Sequence, residues 1–393
     1  MQHIMSVLED TAAASLASIP LTLQIGIQFG GGGEGRVISE LYKFLPSTGF
    51  EVVGAVAEPE HIEETTGHKF VSFAPMNASK IIRLHSARQK LTRILRDRRP
   101  NVVASHFALY TMPVFDRIAS HQLVTHFHGP WGAESAQDGA GILAASARML
   151  IEKIVYFRSS RVIVLSKAFA RWASEAYGVK ENKIRIVPGS VDIERFNIST
   201  TQFAARERLG LPKDRPILLS VRRMVRRMGL LELITAIKTV RIRVPDVLLC
   251  IAGRGLLRQQ LEQRVFELGL ADHVRFLGYV DDKDLPYLYR AADLNVVPTV
   301  ALEGFGLVAA ESLAAGVPAM VTKIGGLPEV VSGLSEDLMF VSPRAEDLAD
   351  GLVDALLGHR RLPDSTACSD YARKHFSSRL MAERVAAVYR EIL

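Results

Sequence analysis

The stretch LQIGIQFGGGGEGRV, residues Leu23–Val37, sets the fold class of this chain. Its first part, Leu23–Phe29, is a short apolar run that predicts a buried strand, and a helical pattern begins at Val37 after the glycines. Strand, glycine turn and helix in this order start a βαβ unit, in which crossover helices join parallel strands. Ligands of such sheets bind at the carboxyl ends of the strands.

The same alternation of short apolar runs and longer amphipathic patterns continues along the chain. Further strands are expected at Val52–Ala57, Asn101–Ser105, Leu123–His126, Arg161–Leu165, Ile217–Val221, Val247–Ala252, Val274–Leu277, Leu294–Val297 and Ala319–Val321. The polar segment Asn197–Gln202 has no periodicity and separates two series of strands. We therefore predict two doubly wound α/β domains with a cleft between them, over residues 1–196 and 197–375. Residues 376–393 are expected to form a terminal helix that crosses back to the first domain.

Size and composition limit the function without choosing it. The chain has 393 residues, of which 48% are hydrophobic, and a net charge of +6, as expected for a two-domain globular protein with anionic partners. The uncharged stretch Thr11–Gly33 contains Pro20 and a run of glycines, which argues against a membrane span. Glu9 and Asp10 precede it, where a signal peptide needs positive charge. We therefore expect a cytoplasmic protein.

The glycine run could bind an anion. Gly32 and Gly33 allow the backbone to approach a phosphate, and the start of the following helix supplies N–H groups and the positive end of its dipole. The run contains G-x-G-x-x-G, and Glu58 follows the second strand, where a dinucleotide-binding fold places an acid for the ribose. A dinucleotide-dependent enzyme and a turn without a ligand are therefore alternatives.

A second constellation is EGFGLVAAE at Glu303–Glu311. If a helix begins near Phe305, Glu303 lies in the loop before it and Glu311 lies about two turns inside, at 3.6 residues per turn. Carboxylates accept hydrogen bonds from sugar and ribose hydroxyls, whereas the backbone N–H groups of Phe305–Leu307 suit phosphate oxygens. Groups for each part of a nucleotide sugar therefore converge here.

With these motifs, nearly the whole chain resembles the retaining glycosyltransferases of the GT-B architecture, in the group of sucrose-synthase-like and bacterial cell-surface mannosyl- and glucosyltransferases. The matching motifs follow the family order: Gly31–Arg36, His128-Gly129, Ile186–Phe196, Arg223, Gly253-Arg254-Gly255, Phe276–Val280, the two glutamates and Gly325–Glu329. The architecture has two Rossmann-like domains whose parallel sheets face each other across a cleft. The resemblance implies transfer of a hexose from a UDP- or GDP-sugar to a glycan or lipid-linked acceptor, with retention and without a metal or other cofactor.

The resemblance also implies roles for single residues. Glu303 and His128 would contact the donor sugar, Arg223 the diphosphate and Glu311 the ribose, and Glu303, His128 and Arg223 form the expected catalytic set. The chain at Val280 would pack on the base. The other expected donor-binding residues are Gly32, Gly33, Arg227, Gly253, Gly304, Phe305, Gly306 and Leu307.

One departure from the family affects the diphosphate site. The family pattern G-R-L-x-x-x-K-G reads RRMVRRMG at Arg222–Gly229, with Met228 in place of the lysine that helps to neutralise the diphosphate. Arg227, or else Arg226, could supply the charge; the alternative is that both are solvated surface arginines. The lost lysine keeps open a catalytically weak nucleotide-sugar-binding protein, and a sugar-nucleotide epimerase is a further alternative on this fold.

Two further features concern metals and membranes. His126 and His128 share a strand face and could ligate a metal, but no carboxylate or thiolate is close in sequence, and we expect no catalytic metal. The segment Lys80–Arg99 carries eight basic residues against one acid, interleaved with apolar residues at helical spacing. It could bind the inner face of an anionic membrane, or it is a core-packed helix with a solvated basic face. No aromatic interleaving points to nucleic acid.

Overall fold

The structure, a computed structural model, describes residues 19–137 and 139–393 of the chain. The strands, β1 to β12 in chain order, are Leu21–Ile25, Glu51–Val56, Phe70–Ser72, Val102–Ser105, Gln122–Phe127, Arg161–Val164, Ile184–Ile186, Ile217–Val221, Leu248–Ala252, Val274–Gly278, Leu294–Val297 and Ala319–Val321. The α-helices of the described residues, α1 to α17, are Gly32–Phe44, His61–Thr65, Lys80–Arg98, Ala108–Thr111, Trp131–Gln137, Ile142–Arg158, Lys167–Tyr177, Ile193–Phe196, Gln202–Arg208, Leu230–Arg243, Arg258–Glu267, Leu285–Ala291, Leu307–Ala314, Leu327–Val331, Ala345–Leu356, Ser365–Phe376 and Ser378–Arg390.

The strands form two sheets, which confirms the predicted pair of Rossmann-like domains. The first sheet has seven strands in the order β3-β2-β1-β4-β5-β6-β7, and the second has five in the order β10-β9-β8-β11-β12. All four pairings of the five-stranded sheet are parallel, as are β1 with β2 and with β4. Strands such as β1 and β9 are buried along their whole length, as expected where helices cover both faces of a parallel sheet.

Three strands and one helix boundary differ from the sequence prediction. Strand β1 covers Leu21–Ile25, whereas the predicted strand was Leu23–Phe29. Phe70–Ser72 and Ile184–Ile186 were not predicted as strands because each has only three residues and includes a polar one, Ser72 or Arg185, so neither forms an apolar run. They lie at the two edges of the seven-stranded sheet. Helix α1 begins at Gly32 and not at Val37, so Gly32 and Gly33 belong to its first turn and Gly31 is its N-cap.

The chain packs as two compact units. One contains the residues up to Val124 together with Ala386–Leu393, and the other contains Thr125–Val385. In the first unit, Tyr389 is buried and lies edge-on to Phe50, with ring centroids 5.8 Å apart. In the second, the strands of the five-stranded sheet and helices α10 and α13 share one hydrophobic core.

No helix among the described residues is long and apolar enough to cross a membrane. The first part of Thr11–Gly33, residues 11–18, lies outside the described residues, and so do Glu9 and Asp10. Of this stretch, the described part contains β1 and the glycine loop. The cytoplasmic location stays a prediction.

Candidate functional site

The second unit brings most of the predicted site residues to one edge of the five-stranded sheet. Each of its five parallel strands ends immediately before one of the motifs, so all the motifs lie at the carboxyl ends of the strands. The segments that follow β8 to β12 in this way are Arg222-Arg223, Gly253-Arg254, Tyr279-Val280, Pro298–Glu303 and Thr322–Gly326.

Backbone hydrogen bonds join these segments to one another. The N–H of Gly253 donates to the Gly278 carbonyl at 2.6 Å, and the N–H of Met224 donates to the Arg254 carbonyl at 2.9 Å. The loop after β12 is tied to the loop after β11 because the Gly326 N–H donates to the Glu303 carbonyl at 2.9 Å. The site backbone is therefore held as a continuous rim along the sheet edge.

The Glu303 side chain forms a buried ion pair with Arg222. Nη2 of Arg222 lies 2.6 Å from Oε2 of Glu303, and the two side chains are 6% and 15% exposed. The same Nη2 also donates to the Thr299 hydroxyl. Because one terminal nitrogen of Arg222 donates to both Thr299 and Glu303, Arg222 orients the Glu303 carboxylate.

Arg227 is buried and not solvated. Its Nη1 donates to the Leu302 carbonyl at 2.9 Å, and its Nη2 lies 3.3 Å from Oε1 of Glu134. Burial lowers the pKa of Arg227; the neighbouring Arg223 and Arg222 lower it further, and Glu134 and Glu303 oppose this. Leu302 itself has a φ of 51°, a backbone conformation that is strained for leucine and that is found at functional loops.

The other arginines of this segment differ from Arg227. Arg223 is exposed, and Arg226 is also exposed and pairs with Glu232 at 2.6 Å. Met228, which stands at the family lysine, is buried. Of the two candidates to replace that lysine, Arg227 is therefore the one whose charge faces Glu303 and Glu134.

Helix α13 begins at Leu307, after the Gly306 N-cap. Gly306 has a φ of 94°, and a Cβ on it would strike the Leu327 side chain, so only glycine fits this helix start. Glu311 is the fifth residue of the helix and lies little more than one turn inside, which corrects the predicted two turns. It is buried, and Oε2 accepts a hydrogen bond from the Tyr289 hydroxyl at 2.8 Å.

The turn at Gly325–Glu329 packs against the backbone of the Glu303 loop. Gly325 has a φ of 58°, and a Cβ there would strike the Glu303 carbonyl. Glu329 caps helix α7, since its carboxylate accepts from the N–H groups of Lys167 and Ala168 at 2.9 and 3.2 Å. Glu329 is therefore a structural residue of this rim.

His128 lies directly after β5 and is half-buried. Burial lowers its pKa to about 4, so its imidazole is neutral at pH 7. The rings of His126 and His128 stack with centroids 6.1 Å apart, and burial followed by the charge of His128 lowers the pKa of His126. A neutral imidazole can both donate to and accept from a hydroxyl.

Gly32 and Gly33 begin helix α1 in the other compact unit. The acid beside them, Glu34, accepts the Ile27 N–H at 2.7 Å through Oε1. Burial raises the pKa of Glu34 to about 8, against the opposite effect of that hydrogen bond. The acid of the glycine loop is therefore mostly protonated at pH 7.

Arg222 and Glu134 are site residues that the sequence prediction missed. Arg222 stands where the family pattern has glycine, and this difference is the signal that could have identified it. Glu134 belongs to no motif, and its contact with Arg227 joins residues 93 positions apart, so only the fold reveals it.

Comparisons with known proteins concern the family and the fold. The model of "Glycosyltransferase Family 4" matches residues 31–195, and that of "Glycosyl transferases group 1" matches residues 201–375. Over 292 residues the chain is 28% identical to an uncharacterized glycosyltransferase of Methanocaldococcus jannaschii, covering 69% of this chain and 74% of that protein.

Two further proteins are similar over different lengths. The chain is 31% identical over 258 residues to the D-inositol 3-phosphate glycosyltransferase of Corynebacterium urealyticum, which covers 63% of this chain and 60% of that enzyme. The structure of HepE from Anabaena, in complex with UDP and glucose, has a TM-score of 0.75 at 19% identity over 94% of this chain and 99% of that chain. The latter likeness shows the shared fold.

Proposed function

Since the chain belongs to the group 1 glycosyltransferases of the GT-B type, we propose that it is a retaining hexosyltransferase. It would transfer a hexose from a UDP- or GDP-sugar to a glycan or lipid-linked acceptor, without a metal ion. The observation that carries the proposal is the Glu303–Arg222 pair beside Arg227 and the start of helix α13, at the carboxyl edge of the five-stranded sheet.

The charges of this edge suit a departing nucleoside diphosphate. Arg223 is exposed there and close enough to lower the pKa of Arg227, so two guanidinium groups share the region with the N–H groups that begin α13. As the bond to the sugar breaks, negative charge grows on the diphosphate, and fixed positive groups stabilise that charge. We assign the diphosphate to Arg223, Arg227 and the backbone at Gly306-Leu307.

The sugar end of the donor is assigned to Glu303 and His128. Only Arg222 among the described residues donates to the Glu303 carboxylate, and it does so at Oε2, which leaves acceptor capacity for sugar hydroxyls. His128 is neutral at pH 7 and can hydrogen-bond a hydroxyl without adding charge. We name no protein nucleophile; the leaving phosphate would accept the proton of the acceptor hydroxyl.

Two buried donors support a ligand at this site. Among the described residues, Nε of Arg222 and Nε of Arg227 are buried without a hydrogen-bond acceptor. An unsatisfied buried donor costs about 1–3 kcal/mol, so each such group in a native protein has a physical cause such as strain, a function, or a water or ion. Other buried atoms of the described residues, such as Nε1 of Trp172, also lack an acceptor, so the two arginine donors add to the proposal through their position next to Glu303 and Glu134.

The nucleotide-sugar-binding protein without activity remains a second candidate because of Met228. In this alternative the lost lysine leaves the diphosphate too weakly neutralised for its departure. Arg227 can supply the missing charge, since it directly precedes Met228 in the sequence and its guanidinium is buried near Glu303. The two candidates differ in turnover, not in donor binding.

A donor panel tests the proposal. Purified protein is heated with UDP-, GDP- and ADP-sugars, and the matching donor is expected to raise the unfolding temperature, since a ligand at 100 times its Kd adds about 2.7 kcal/mol. The matching donor is then incubated with the protein in the presence of EDTA, and release of the nucleoside diphosphate is followed by chromatography. Release above the rate without protein supports a transferase.

Three results would contradict parts of the proposal. If no nucleotide sugar stabilises the protein, the donor site is wrong. If a donor binds but no nucleoside diphosphate is released with any acceptor, the inactive binding protein is correct. If the product sugar has the opposite anomeric configuration, measured by NMR coupling constants, the retaining mechanism is wrong while the transferase stands.

A further inference from the structure

Helix α6, Ile142–Arg158, presents an apolar stripe to solvent. Ile142 at its start is 84% exposed, and four further large residues, Leu143, Leu150, Ile154 and Phe157, are 88%, 58%, 37% and 80% exposed. With the exposed Ala147 these four follow one another at intervals of four, three, four and three residues, which places them on one face of the helix.

The opposite face of α6 holds the helix on the protein. Glu152, Val155 and Tyr156 are its buried residues. The Glu152 carboxylate accepts from the N–H groups of Trp131 and Gly132 at 2.9 and 3.0 Å. The stripe is therefore the outward face of a firmly attached helix.

Basic residues lie on α6 and close to its end, and Lys153 is the exposed one among those of the helix. Residues 139–162 contain four basic residues, Arg148, Lys153, Arg158 and Arg161, and one acid, which is the buried Glu152. Near the end of the helix, Nζ of Lys183 donates to the Phe157 carbonyl at 2.9 Å and lies 5.7 Å from the centroid of the Phe157 ring.

The cations at this end are close together. The pKa of Lys183 is lowered by burial and then by the charges of Lys180, Arg158 and Arg161. Glu181 is the exposed acid in the same segment, so the balance remains positive. Apolar side chains flanked by cations match the layering of an anionic bilayer, with acyl chains beneath phosphate headgroups.

We propose that the outward face of α6 docks the protein on an anionic membrane surface. The helix lies along the surface with Leu143, Leu150 and Phe157 among the acyl chains and Lys153 at the headgroups. A second copy of the chain fits this face less well, because an α6–α6 pair would bring together two basic helices whose acid is buried. The proposal does not rest on the transferase activity.

Helix α3, Lys80–Arg98, differs from α6 although its sequence is more basic. Its Arg88 pairs with Asp116 at 2.8 Å and Arg98 with Glu51 at 2.6 Å, while Lys90 lies 3.7 Å from Glu63. Its Ala87, Leu91 and Leu95 are buried. These contacts hold the middle and the end of α3 on the protein, whereas Ile81 and Ile82 at its start are 81% and 57% exposed, and the membrane face of α3 stays a prediction.

The test is vesicle cosedimentation of the full chain, without any nucleotide sugar. We expect binding to phosphatidylcholine vesicles that contain phosphatidylglycerol and little binding to phosphatidylcholine alone. Phe157→Ser should weaken binding roughly tenfold, since several apolar CH groups leave the bilayer. The matched control is Phe266→Ser on α11, because Phe266 is also 80% exposed and lies outside the stripe.

Charge variants complete the test. Lys153→Gln with Lys180→Gln should weaken binding to anionic vesicles by roughly tenfold or more, at about 1 kcal/mol for each basic residue. Arg88→Gln with Lys90→Gln on α3 should leave it unchanged. Equal binding by Phe157→Ser and the wild type, or equal losses for Phe157→Ser and Phe266→Ser, would overturn the proposal. So would a dimer, seen by sedimentation, that Phe157→Ser dissociates while neither protein binds vesicles.

Discussion

Two loops of this molecule look alike in sequence and differ in chemistry. The glycine loop before α1 and the Glu303 loop before α13 both follow a parallel strand and open a helix. In the first, Glu34 is mostly protonated at pH 7 and bound to the Ile27 N–H. In the second, Glu303 is paired with Arg222 in a region that also holds Arg227. The backbone pattern is thus shared, and the charged side chains distinguish the loop that suits a donor.

The contacts of the glycine loop also bear on the dinucleotide-dependent alternative. Glu58, its expected ribose acid, accepts the Phe29 N–H at 3.3 Å and so braces the entry to the glycine loop. Glu58 thus holds the backbone before the glycine loop, and Glu34 within the loop is mostly protonated. These are the contacts of a structural turn. Its role toward a phosphate, through Gly32 and Gly33, stays a prediction.

The largest expected effect is at Glu303. Glu303→Ala should lower kcat/KM for transfer by about 10²–10³, the usual loss when one preorganised polar group at the reacting centre is removed. Glu34→Gln should stay close to wild type at pH 7, since glutamine replaces a carboxyl that is already mostly protonated. Initial rates with the matching donor measure both. Similar losses in the two variants would remove the distinction between the loops.

The next effect concerns the replacement of the family lysine. Arg227→Ala should lower kcat by about 10², because a buried cation near the diphosphate is lost. Arg226→Ala is the matched control and should be near normal. Adding Met228→Lys to Arg227→Ala should recover part of the activity. No recovery, together with equal rates for the two single variants, would mean that neither arginine replaces the lysine.

A smaller effect is expected at Arg222. Arg222→Gly restores the family residue but frees the Glu303 carboxylate, and we expect about a tenfold loss in kcat/KM, carried mainly by the donor KM. Arg222→Lys should lose less, since it keeps one charged donor. Thermal unfolding controls for stability, because breaking a buried ion pair is destabilising. An unchanged kcat/KM in Arg222→Gly would contradict a positioning role.

The last effect is on stability, at the glycine loop, and is expected to leave activity nearly unchanged. The folded pKa of Glu34, about 8, exceeds the usual carboxyl value, so the native state binds more protons and its unfolding free energy falls as pH rises from about 4.5 to 8. The wild type should therefore lose about 3 kcal/mol more stability than Glu34→Gln between pH 5 and pH 8. Urea unfolding at the two pH values measures this. Parallel curves would mean that Glu34 is ionised in the native state.

Much of the fold follows from local pattern, and the site only in part. The run Ile217–Val221 is apolar, and its strand was predicted to the residue. The strands Phe70–Ser72 and Ile184–Ile186 are short and include polar residues, so their sequences show no apolar run. The Glu303–Arg222 pair joins residues 81 positions apart, and no local rule places one beside the other. Burial likewise separates Arg227 from Arg226, although the two are neighbours in sequence.

A crystal structure with UDP or GDP bound would test the central claim most directly. The account predicts the diphosphate at the start of α13, with its oxygens in hydrogen-bond range of the Gly306-Leu307 backbone and of Arg223 or Arg227, and the ribose near Glu311. A nucleotide bound at the glycine loop alone, or a Glu303 site that stays empty at saturating nucleotide, would contradict it.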